Sequence, residues 1–341
     1  MNYALFSTFA AINFIKMENQ EKNTVQKARS YRGILTAGVY LYTQAFRKFF
    51  KASWLMALLY ALVFGACCTM AALKIPEITV AVMAQIQKFN GIFIEPLQHY
   101  SIDLAIIFGL LLLSLSVQAL ANAPIAALLK EHLETGTITP PTSWFKPNTR
   151  LMLRSLKGIL LTVGIITVCF IIMILILVTL EWLISIGLTH SPFTTTAFLL
   201  IVSAIIFAFA LPIINATMKY ILQSGGYWKT IGRYYGCGMR HWGSLFLVFF
   251  VSGLLTWLVG VVIMLPANIL FLANFSAQMG QLLGDPLGMP SYMPILTYVT
   301  FVLCIFIFFY VSLTLMLHNY YTYGAIEAKE AENEQQKLDI Q

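Results

Sequence analysis

Charge is scarce in this sequence. Lys, Arg, Asp and Glu make up 10% of its 341 residues, against roughly 25% in a soluble globular domain. Hydrophobic residues reach 59%, so a water-exposed surface of this size would have too few charges to cover it. The same apolar excess excludes intrinsic disorder, which needs low hydrophobicity and high net charge. Catalytic motifs are missing as well. There is no H-E-x-x-H, no G-x-S-x-G and no P-loop lysine, and His132 in KEHLE has no second His four residues on. The five cysteines, Cys67, Cys68, Cys169, Cys237 and Cys304, form no metal-ligand spacing and read as small apolar fillers. No metal, cofactor or catalytic residue is expected, and the chain reads as a non-enzyme.

What the sequence does have is long uncharged runs. About 20 apolar residues in a helix cross roughly 30 Å of hydrocarbon. Six stretches meet that length: Ala52–Leu73, Leu104–Leu129, Gly158–Leu180, Thr195–Met218, Leu245–Ile269 and Ile295–Leu317. They are continuous and apolar on all sides, which excludes the strict alternation of a membrane β-barrel. The expected fold class is therefore all-α, a polytopic membrane protein with six transmembrane helices. Residues 31–328 make the transmembrane domain, 329–341 a polar tail, and 1–30 a separate N-terminal segment in which Met17 reads as an alternative start.

The basic residues orient these spans. If the N-terminus is cytoplasmic, eight Lys/Arg precede the first span and five lie between the second and third. Four more lie between the fourth and fifth spans, and two in the tail, leaving only Lys74 and Lys88 outside. The positive-inside rule then puts both termini in the cytoplasm. A formal net charge of +7, spread over every cytoplasmic segment, suits topogenesis and anionic phospholipid headgroups rather than nucleic acid.

The chain also reads as three hairpins, each preceded by a basic-aromatic interfacial segment: YTQAFRKFFKASW (42–54), SWFKPNTRLMLRSLKG (143–158) and YWKTIGRYYGCGMRHWG (227–243). In the first, Leu35, Val39, Tyr42, Phe46 and Phe49 form one apolar stripe, expected to lie flat at the membrane surface. In the third, Trp228, Ile231 and Tyr235 repeat the spacing, and Gly236, Gly238 and Gly243 offer a break before the fifth span. These segments either anchor the hairpins or form a collar that binds anionic lipid. The contact residues for that collar are Arg47, Lys48, Lys51, Arg150, Arg154, Lys229, Arg233 and Arg240.

APIAALLKEHLETGTITPPTSWFKPNTRLMLRSL and PIINATMKYILQSGGYWKTIGRYYGCGMRHW share a succession of span, turn, basic segment and next span. This layout resembles the six-span membrane domain attached to glycerophosphodiester phosphodiesterases, and related stand-alone bacterial membrane proteins of unknown function. The resemblance covers about residues 30–328 and implies a multi-pass bundle in a bacterial inner membrane. It implies no reaction, because the phosphodiesterase domain and its catalytic residues have no counterpart here.

Inside the spans the polar residues are mild. Gln118, Asn122, Asn215 and Asn319 are either packing hydrogen bonders or the lining of a polar cavity, opened further by Pro124, Pro212 and Pro266. Asp103 and Glu181, at expected outer ends, read as solvated. Lys74 to Ser101 reads as an external loop with a surface helix through Ile78, Val82, Ile86 and Phe89. Asn274-Phe-Ser276 matches a glycosylation sequon. The function expected from these features is a scaffold, lipid-handling or accessory role. The alternative is a transporter or permease for an amphiphilic or neutral solute.

Overall fold

The computed structural model describes residues 25–89, 100–138, 149–185, 192–223, 225–284 and 289–339. Among them it is helical almost throughout, with no strand. Seven helices follow in order: α1 (Tyr31–Phe89), α2 (Ser101–Thr135), α3 (Thr149–Ser185), α4 (Pro192–Leu222), α5 (Tyr227–Arg240), α6 (Trp242–Leu282) and α7 (Met293–Asp339). Every expected span falls inside one of these helices. Five segments are long and apolar enough to cross a membrane: Tyr31–Ala84, Ser101–Thr135, Ser203–Leu222, Trp242–Gln281 and Met293–Asp339. The chain is thus an all-α protein of multi-pass membrane type. Gly158–Leu180 lies within α3. The expectations for residues 1–24, for the start of the second basic-aromatic segment and for the side chains of Ile86, Phe89 and Glu181 lie outside the described residues.

The helices divide into two compact units. One comprises the chain up to Phe49, Ile125–Gly253 and the chain from Thr314 on; the other comprises Phe50–Pro124 and Leu254–Leu313. The second unit is built on small residues at helix contacts, as expected where lipid supplies no hydrophobic drive between helices. Ala57, Ala61, Ala119, Ala121 and Ala267 are fully buried. A Cβ on Gly65 would lie 2.7 Å from Val302, and one on Gly260 would lie 2.6 Å from Phe308. Large side chains point outward instead: Phe108, Leu112, Trp257, Val262, Ile269 and Leu303 are all at least half exposed. In water such a surface would drive aggregation; in a bilayer it is the solvated face.

Proline placement shows the same constraint. Pro76 lies inside α1 and carries no N–H, so the carbonyl of Ala72, four residues back, loses its helical donor. Asn274 Nδ2 donates to that carbonyl at 2.7 Å. Pro212 does the same to Ala208 in α4, and Trp242 Nε1 donates there at 3.0 Å. A freed carbonyl in hydrocarbon has no water to turn to, so it is satisfied by a side chain from another helix.

Several local expectations are corrected. Lys74 to Ser101 is not a loop from its start, because α1 runs through Pro76 to Phe89. The Asn274 donor replaces the bond that proline removes, and Lys74 is held by Glu77 at 3.1 Å and Asp103 at 3.4 Å. Asp103 is accordingly paired rather than free in solvent. Asn274 is 5% exposed and is spent on the Ala72 carbonyl, so the sequon is not a presented one. The first basic-aromatic segment is no separate flat helix; it continues into the first span within one 59-residue helix. The face it buries in protein is Ile34, Ala37, Leu41, Ala45 and Phe49, which shares Phe49 with the expected stripe and otherwise lies to one side of it. Small residues decide that face: a Cβ on Gly38 would meet the His318 ring at 2.3 Å.

Candidate functional site

The first unit has a polar centre. α7 is buried on every side from Leu317 to Ile326, so it runs through the middle of this unit rather than along its surface. Its polar groups are tied to several neighbours. His318 Nε2 lies 3.2 Å from the Leu35 carbonyl, and the Tyr320 hydroxyl lies 2.9 Å from His132 Nδ1 and 3.1 Å from the Leu129 carbonyl. Asn215 Nδ2 donates to Asn319 Oδ1 at 3.0 Å. The structure thus brings two of the four expected cavity amides together, as a buried hydrogen-bonded pair. Gln118 and Asn122 are half-buried on α2 in the other unit. The carbonyl freed by Pro212 is taken up by the Trp242 indole N–H.

α5 is the third basic-aromatic segment, and it is a separate helix. Its buried face is Tyr227, Ile231, Tyr234 and Gly238, which keeps Ile231 of the expected three and puts Tyr227 and Tyr234 in place of Trp228 and Tyr235. The Tyr227 hydroxyl bonds Thr162 at 2.8 Å, and Thr162 bonds Thr217 at 2.6 Å, which ties α5 to α3 and α4. Gly238 permits close approach: a Cβ there would sit 3.0 Å from Pro212. The break before α6 therefore falls at His241, not at the glycines. His241 leaves helical geometry at φ −105°, ψ 23°, and its carbonyl accepts from Ser244 and Leu245 to restart the helix.

The eight expected lipid-contact cations separate into two groups. Lys48 donates to the Ile138 carbonyl. Arg154 donates to the Tyr220 carbonyl and, at 3.1 Å, to the Gly225 carbonyl, with its guanidinium 4.3 Å over the Tyr220 ring. It clamps the turn between α4 and α5, where the C-terminal carbonyls of α4 favour a cation. Arg240 is engaged by Glu330 at 2.9 Å. Arg240 is nonetheless exposed, as are Arg47, Lys51, Arg150, Lys229 and Arg233.

Around α5 two acids of α7, Glu327 and Glu330, are paired with bases. Lys219 Nζ pairs with Glu327 and lies 4.2 Å over the Tyr234 ring. Glu327 also accepts from the Tyr323 hydroxyl at 2.9 Å and from Gln223 at 3.4 Å. Glu330 receives Arg240 and lies 3.0 Å from His241 Nε2. Two cavities open here. The larger, about 720 Å³, joins Lys219, Arg233 and Arg240 to Glu327, Glu330, Glu332 and Glu334. The smaller, about 350 Å³, is lined by Lys219, Gln223, Lys229, Thr230, Arg233, Tyr234 and the backbone of Gly225 and Gly226, with no carboxylate in its wall. Burial, then the nearby carboxylates, raises the Tyr234 hydroxyl pKa. Burial, reinforced by Glu330, pushes the Cys237 thiol up to about 11. Sequence reading missed Lys219, Gln223, Glu327 and Glu330. Each pair has helical spacing within its own helix, which is the signal that could have matched them. Among the described residues no group of His, Cys, Asp and Glu is arranged to hold a metal ion.

No protein-family profile matches the chain, nor does any curated protein or solved structure.

Proposed function

We propose that this is a six-span protein of a bacterial inner membrane, with α3 as the sixth crossing and both termini cytoplasmic. Its role is scaffolding, lipid handling or assistance to another membrane component, without chemistry of its own. The observation that carries this reading is α5. One face is docked by two buried tyrosines, while Trp228, 67% exposed, stands beside exposed Lys229 and Arg233. An aromatic ring flanked by cations on an amphipathic helix is the pattern of an interfacial contact with anionic headgroups. The layout's resemblance to the phosphodiesterase-associated membrane domain agrees with this role.

The test is fluorescence quenching of a variant that keeps Trp228 as its sole tryptophan, in nanodiscs containing brominated lipids. Quenching should be stronger with brominated phosphatidylglycerol than with brominated phosphatidylcholine, and the difference should shrink at high salt. Equal quenching by both lipids would remove the basis for an anionic-lipid contact, and unaided hydrolysis of a lipid phosphodiester would reject the non-enzymatic reading. The permease reading rests on the 720 Å³ cavity with its two signs of charge; solute uptake by reconstituted vesicles would favour it instead.

A further inference from the structure

Gly324, Ala328 and Ala331 recur at helical spacing on one face of α7. Ala328 and Ala331 line the larger cavity, beside Gly236 and Cys237 of α5. The Gly324 end of that face is occupied by the chain's own segment before α1. A Cβ on Gly324 would overlap the Val25 carbonyl and side chain, so the glycine is what lets this backbone lie against the helix. Gln26, the next residue, forms part of the cavity wall. We propose that residues 25–30 are a detachable strap. Seated, it closes the Gly324 end of the cavity; released, it lets the cavity lengthen into a groove along α7.

The contacts that seat the strap are of the kind that releases. Val25, 5% exposed, is the one buried side chain of the segment, while Gln26, Lys27 and Ser30 are exposed. The Arg29 guanidinium lies 5.1 Å from the centre of the Tyr321 ring, one turn before Gly324, so the strap meets α7 on two successive turns. Arg29 Nη1 donates to the Val25 carbonyl at 3.2 Å, and the Lys27 N–H donates to the same carbonyl at 3.1 Å. Both of those bonds are internal to the strap and survive its release. What release gives up includes the Val25 burial and the Arg29–Tyr321 contact. A segment anchored by one buried side chain opens locally at far lower cost than the packed helices beside it. The device works the same way whether the cavity takes a lipid or a solute, so it does not depend on the choice between those readings.

The experiment uses the full-length protein in nanodiscs, with the five native cysteines replaced and one reporter added. The reporter is Ala328→Cys, one turn beyond Gly324, or Glu334→Cys, at the far end of the cavity. Each is alkylated with a bulky, water-soluble maleimide. Arg29→Gln removes the ring contact without crowding α7, and Gly324→Ala puts a methyl group where the Val25 carbonyl lies. In Arg29→Gln the Ala328→Cys reporter should react about two- to fivefold faster, the factor that loss of an exposed cation–π contact implies. In Gly324→Ala it should react faster still, and Glu334→Cys should be unchanged in both. The sign separates release from electrostatics, because losing a nearby positive charge disfavours the thiolate and slows alkylation. Equal acceleration of both reporters would overturn the strap, since the whole unit would then have loosened. Unchanged or slower reaction of Ala328→Cys would overturn it as well. If Gly324→Ala does not fold, Arg29→Gln decides alone.

Discussion

Asn274 offers the sharpest test of how this chain satisfies its backbone in lipid. Its Nδ2 donates at 2.7 Å to the Ala72 carbonyl, which Pro76 has deprived of a helical partner. Asn274→Leu keeps side-chain volume but leaves that carbonyl buried and unpaired, at a cost of about 1–3 kcal/mol. The expected effect is a fall of a few degrees in apparent Tm, read by intrinsic fluorescence in detergent or nanodiscs. Pro76→Ala restores the missing N–H, so Ala72 regains a helical donor and no longer depends on Asn274. Asn274→Leu in the Pro76→Ala background should therefore cost well under half of what it costs alone. Because polytopic proteins often unfold irreversibly, all four proteins must be compared at one scan rate. Equal losses from Asn274→Leu in both backgrounds would refute the reasoning, since the amide would then matter for something other than the proline.

Three further outcomes follow from the first unit. Lys219→Met and Glu327→Gln should each destabilise, and the double variant should fall short of additivity by about 1–3 kcal/mol; additive losses would mean the pair is not coupled. A single-cysteine variant retaining Cys237 should alkylate slowly at pH 8, where a thiol of pKa about 11 is only about 0.1% thiolate, with the rate rising tenfold per pH unit. A plateau near pH 9 would contradict the burial and Glu330 contact. The same shift predicts stability falling as pH rises from about 9 to about 11, because the folded thiol keeps its proton after the unfolded one has lost it. Gly324→Ala should release the segment around Val25, whose carbonyl lies 2.3 Å from where the new Cβ would sit, and limited proteolysis near Arg29 should quicken; unchanged cleavage would show the segment is not held there.

The spans were readable because uncharged length is a property of the sequence alone. Helix faces were less so. In both α1 and α5 the packed face only partly overlaps the stripe chosen by large side chains, because Ala37, Ala45 and Gly238 bring helices close where bulky residues would hold them apart. The helix through Pro76 was hidden for a related reason: its repair comes from Asn274, about 200 residues away in sequence. Long-range partners also divided the cations. Lys48, Arg154 and Arg240 look like Lys229 and Arg233 in sequence, and only the Ile138 and Gly225 carbonyls and Glu330 set them apart. Of the four amides read as packing hydrogen bonders or cavity lining, Asn215 and Asn319 meet in a direct hydrogen bond, a pairing that their 104-residue separation hides in the sequence.

Membrane orientation underlies the whole functional account, and impermeant maleimide labelling of single-cysteine variants tests it most directly. In a background with the five native cysteines replaced, Lys229→Cys, Lys329→Cys and Met289→Cys are labelled first in intact spheroplasts and then after lysis. Met289→Cys should react from outside, and the other two only once the membrane is opened. Labelling of Lys229→Cys or Lys329→Cys in intact spheroplasts would contradict the account, as would a Met289→Cys that reacts only after lysis.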